Sequence, residues 1–130
     1  DRDLGANGTI VYRWGNPLVY KRGTTVNQKL FVQHNAQWIK SGLKHAGDIL
    51  IFNNGGGRPG GNYSSLDIIN PPVDANGNYT ISPGLSFAPD SAYWSYKDSV
   101  PANFYATNIS GVHSLEICKP CKRVGSDYTG

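Results

Sequence analysis

The chain has 130 residues and a mass of 14.1 kDa, enough for one domain with a real core and hardly enough for two. Glycine (16) and proline (8) are abundant, Glu116 is the sole glutamate and methionine is absent, which excludes a helical bundle; 12% aromatic and only 16% charged residues exclude disorder. Twelve Lys and Arg against nine acids leave a net charge of +3, too small and scattered to indicate nucleic acid, and no apolar run has the length of a membrane helix.

In chain order, short strand-like runs alternate with turn clusters. Gly8 to Trp14 reads as a strand after the turn Ala6-Asn7-Gly8. Lys29 to Ile39 is a longer candidate. Ile49-Leu50-Ile51-Phe52 is apolar without alternation, the pattern of a strand covered on both faces. Asn53 to Asn62 reads as a glycine-rich loop, with Gly55 to Gly61 exposed. Tyr63 to Ile69 is a strand ended by Pro71-Pro72, and Tyr79-Thr80-Ile81 a short one after the turn at Asp74 to Asn78. Ala92 to Tyr96, Phe104 to Val112 and His113 to Cys118 complete the set. The pattern predicts an all-β, antiparallel chain. A faint repeat sets Tyr12 to Phe52 against Tyr93 to Cys118 and favours a propeller over a single sandwich.

The most distinctive stretch is Gln33-His34-Asn35-Ala36-Gln37-Trp38-Ile39, then Gly47-Asp48-Ile49-Leu50-Ile51-Phe52-Asn53-Asn54-Gly55 and Arg58, continued by Tyr63 to Pro71. This combination resembles the bacterial arylsulfate sulfotransferase family of β-propeller enzymes: a Gln-His-x-Ala element opening a strand, a buried strand closing in Phe-Asp/Asn-Asn-Gly, and a downstream arginine. Arg13 to Pro17 resembles the close of a preceding blade and Asn108 to Gly111 the opening of a following one, so the likeness spans residues 8 to 118.

The resemblance implies transfer of a sulfuryl group from an aryl sulfate donor to a phenolic acceptor through a sulfated histidine, with no cofactor, in a periplasmic or secreted protein. His34 would be the nucleophile, and Asn35 and Arg58 would bind the sulfuryl oxygens. Family members carry a further histidine, asparagine and arginine on the preceding blade, and those have no counterpart here. The expectation is therefore about one and a half to two antiparallel blades of a six-bladed propeller over residues 1–118, with a divergent polar tail over 119–130. The chain would be an internal fragment, inactive alone, with open strand edges that make it self-associate. The absence of methionine and the opening on Asp1 agree with a processed or excised chain.

The remaining motifs have plainer readings. Cys118-Lys-Pro-Cys121 has the spacing of a redox pair or half a zinc site, but no second cysteine pair exists, and no function is assigned to it. Gly55 to Gly61 lacks the Lys-Ser/Thr of a phosphate loop. His45 is expected in solvent, Asp48 and Asp67 at a turn and a strand surface, and Trp14, Trp38 and Trp94 in the core. Four Asn-x-Ser/Thr sequons begin at Asn7, Asn62, Asn78 and Asn108 and would stay unused in a bacterial protein. Two other function classes compete with the enzyme: a propeller that binds without turnover, and a carbohydrate-binding β-sandwich, which leaves the Gln-His-x-Ala to Asn-Asn-Gly spacing unexplained.

Overall fold

The computed structural model describes residues 8–115. Cys118, Cys121 and the tail expected over 119–130 lie outside them. The chain is all-β. Strands β1 (Gln33–Trp38), β2 (Ile49–Asn53), β3 (Ser65–Ile69) and β4 (Trp94–Tyr96) form one antiparallel sheet in the order β1-β2-β3-β4. Consecutive strands pair, so the topology is a simple meander.

The predicted apolar strand is central. β2 lies between β1 and β3, and its Leu50, Ile51 and Phe52 are all buried. Both faces are covered. On one, Ile51 and Ile69 pack with Tyr12 and Leu30, roofed by Trp14, Tyr79 and Phe87. Tyr12 stacks on Tyr79 at 4.7 Å and meets the edge of Phe87 at 5.4 Å. On the other, Leu50 and Ile68 pack with Ile39, Leu43 and Val112, and Phe104 bridges Phe52 and Tyr96 edge-on. The strand without polar alternation is thus the one with cover on each side.

Three expected strands do not form. Gly8 to Trp14 is instead a strap across the first face, tied by Tyr12 Oη donating to Ala88 O (2.8 Å) and Trp14 Nε1 donating to Pro89 O (2.6 Å). Phe104 to Val112 is irregular, following a 3-10 turn at Pro101–Phe104. Its backbone bonds to loops and side chains: Ser64 N donates to Phe104 O and Ala106 N to Ser64 Oγ. Tyr79 pairs with Val73 in an isolated bridge and not in a strand. Among the described residues there is therefore one four-stranded sheet, not one and a half to two.

The loop after β2 also differs. Asn53 closes the strand, and Asn53 and Asn54 are among the most deeply buried side chains, at 1% and 0% exposure. They replace backbone partners. Asn53 Oδ1 accepts from Phe31 N, and its Nδ2 donates to Lys29 O and to Asp67 Oδ2. Gly55 is buried as well, at φ 79°, and a Cβ there would lie 1.8 Å from Tyr63 O. Only glycine fits. From Gly57 the loop turns outward, with Gly57, Pro59, Gly60 and Gly61 exposed as expected.

Candidate histidine site

His34 opens the edge strand β1 opposite Phe52. The backbone around it is bent on both sides. Val32 has φ 52° and Asn35 φ 48°, and the register slips between His34 and Ala36. A left-handed conformation at a β-branched valine costs on the order of 1–2 kcal/mol. The surrounding bonds hold the chain in that shape and present a half-buried imidazole.

The ring is oriented by Asn54. His34 Nδ1 lies 2.8 Å from Asn54 Oδ1 and 3.2 Å from Val32 O. Asn54 Nδ2 donates to Ala106 O at 2.8 Å, which fixes the amide the other way round, with its oxygen toward the histidine. Both atoms facing Nδ1 are therefore acceptors, so Nδ1 carries the proton. In the neutral ring, Nε2 keeps its lone pair. The main-chain carbonyl of Asn54 accepts from Ser64 Oγ at 3.0 Å, and Ser64 is fully buried. In the sequence Asn54 reads only as part of the Phe-Asp/Asn-Asn-Gly strand end, not as a site residue; its signal is an asparagine doublet directly after a buried apolar run.

Asn35 and Arg58, expected beside His34, are placed otherwise. Asn35 Oδ1 accepts from Val112 N (3.0 Å) and Gln37 Nε2 (3.0 Å), clasping the 108–113 segment against β1. Gln37 Nε2 also bonds Val112 O and lies 3.3 Å from His113 Nδ1. Arg58 donates from Nη2 to Ser65 Oγ at 3.2 Å, and its guanidinium lies 4.0 Å from the Tyr63 ring centroid. Ser65 registers with Asn53, whereas His34 registers with Phe52, the next residue of β2. Successive residues of a strand face opposite ways. Arg58 thus joins the sheet on the face away from His34.

A second histidine cluster sits at the far end of β2. Tyr93 Oη donates to Asp48 Oδ2 and lies 2.8 Å from His45 Nδ1, while Asn70 Nδ2 donates to Asp48 Oδ1 at 2.5 Å. His45 is half-buried, not solvated, and Asp48 and Asp67 are both buried at 7% exposure, not surface residues. Each carboxylate survives burial because hydrogen-bond donors surround it. Tyr93 is pushed up to about 12, by desolvation of the hydroxyl first and by the Asp48 carboxylate second. Among the described residues, no group of three or more His, Cys, Asp or Glu is arranged to hold a metal, and no helix is long and apolar enough to cross a membrane. Of the three tryptophans, Trp14 and Trp38 are half-buried and Trp94 is exposed.

Comparison with known protein families, with curated proteins and with solved structures finds no match to this chain.

Proposed function

We propose that the sheet is one blade of a β-propeller of arylsulfate sulfotransferase type, and that His34 Nε2 is the atom sulfated in transit. The observation that carries the reading is the Asn54 contact, which holds the neutral ring as the Nδ1–H tautomer and leaves Nε2 nucleophilic. A four-stranded antiparallel meander is also the form of a propeller blade. In the first step the Nε2 lone pair attacks sulfur, the N–S bond forms, the aryl O–S bond breaks and the phenolate leaves with its electron pair. The imidazole is then cationic, and Asn54 Oδ1 and Val32 O accept from its Nδ1–H. In the second step the acceptor phenol oxygen attacks sulfur, the N–S bond returns its pair to Nε2, and the phenol proton passes to solvent.

The chain alone is expected to be inactive, so the test is rapid quenching, with 4-nitrophenyl sulfate, of an intact propeller that carries this blade, followed by mass analysis of the peptide carrying His34. One added sulfuryl group on that peptide is expected, and none in His34→Ala. Turnover with a phenolic acceptor should fall by at least ~10³-fold in that variant. Full turnover by His34→Ala would place the nucleophile elsewhere.

A further inference from the structure

The face of the sheet away from His34 carries a cleft of about 400 Å³ whose lining includes Lys29, Arg58 and Lys97. Its one carboxylate, Asp67, is held within the sheet by neutral donors. Asp67 Oδ2 accepts from Ser65 Oγ (3.0 Å) and Asn53 Nδ2 (3.2 Å), and Oδ1 accepts from Ser95 Oγ (2.6 Å). The cations have no such partner. Among the described residues the one ion pair is His45 with Asp48, on another part of the molecule. Arg58 and Lys97 instead share one aromatic ring, at 4.0 Å and 5.4 Å from the Tyr63 centroid. The Arg58 side chain gives a single hydrogen bond, to Ser65, and its buried Nε has no partner.

Two cations over one ring, with Lys29 also lining the cleft, repel one another and draw an anion between them. Asp67 makes no ion pair with any of the three. We propose that this cleft is a binding site for a small tetrahedral oxyanion, a sulfate or phosphate group either free or as an ester, gripped by the free N–H groups of Arg58 and the ammonium groups of Lys29 and Lys97. The planar fork of Arg58, stacked on Tyr63, is pre-oriented for such a group, and the two lysines close on it as point charges. Trp14 and Phe31 on the cleft wall give an aryl ester something apolar to lie against. The site is independent of the histidine chemistry.

The experiment is titration of the full chain with inorganic sulfate, inorganic phosphate and phenyl phosphate at constant ionic strength, read by backbone amide NMR shifts. Saturable shifts confined to Tyr63, Ser65, Ser95 and Lys97 are expected. Lys97→Glu and Lys29→Glu, both at exposed positions, should each weaken binding at least about tenfold. Lys40→Glu, outside the cleft, and His34→Ala should leave it unchanged, so failure of the histidine reading and failure of this one are separately visible. Tighter binding of phenyl phosphate than of phosphate assigns an aryl ester, and equal binding a free oxyanion; either supports the site. Shifts that grow linearly and spread over the surface, or affinity unaffected by both glutamate variants, would overturn it.

Discussion

The two ends of β2 each hold a histidine by Nδ1, and they do it with opposite chemistry. At one end His34 bonds the amide of Asn54, a neutral group with no proton to exchange. At the other, His45 bonds the hydroxyl of Tyr93, which passes its own proton toward the buried carboxylate of Asp48. A neutral acceptor fixes a tautomer without adding charge. A chain that ends in a carboxylate adds a charge-assisted bond. The first arrangement orients one ring beside the β1 bulge; the second holds the loop between β1 and β2 against Tyr93, just ahead of β4.

The sharpest way to break this contrast is to remove each histidine in turn in an intact propeller that carries this blade. His34→Ala should cost at least ~10³-fold in sulfuryl transfer. His45→Ala should leave turnover unchanged within the error of the same assay. Equal losses in both would erase the distinction.

The next effect is on positioning. Asn54→Ala keeps His34 but removes its anchor and strands the carbonyl of Ala106. Turnover should fall on the order of a hundredfold through misplacement of the ring. Stability should drop by about 2 kcal/mol from the buried bonds lost. Denaturant unfolding alongside the kinetics separates the two, because partial rescue of the rate by Asn54→Gln would mark a positioning role.

Gly55→Ala probes the backbone that carries Asn54. The new methyl meets Tyr63 O and the Arg58 side chain, and the residue sits at φ 79°. A loss of about 3 kcal/mol or more is expected, measured by chemical denaturation. An unchanged midpoint would show that the turn relaxes freely.

The smallest effect is electrostatic and belongs to the Tyr93 end. The folded protein raises Tyr93 from its ordinary 10 to about 12, so it favours the protonated phenol. That contribution is complete below pH 10 and is lost as the pH rises toward 12. Wild-type stability should therefore decline across this window more steeply than that of Tyr93→Phe. Parallel curves for the two would remove the hydroxyl from the account.

The fold was legible where the physics is local. Ile49 to Phe52 announced a doubly covered strand because apolar residues stood at every position, and Pro71-Pro72 announced the end of β3. The burial of Asn53, Asn54 and Asp67 was not legible, because their partners come from Lys29, Phe31, Ser95 and Ala106, brought in by the topology. The apparent repeat makes no second sheet among the described residues: of its second half, Trp94–Tyr96 is β4 of the same sheet and Phe104 to Val112 is irregular. Of the three site residues expected, His34 is held through Nδ1 by Asn54, while Asn35 clasps a neighbouring segment and Arg58 belongs to the opposite face.

The tautomer of His34 is the most direct test of the central claim. Two-bond proton–nitrogen correlation spectra of the imidazole at mildly alkaline pH distinguish a proton on Nδ1 from one on Nε2. The Asn54 contact predicts the Nδ1–H pattern for His34, converting to a mixture in Asn54→Ala. An Nε2–H pattern in the wild-type chain would leave no lone pair where the chemistry needs it and would contradict the account.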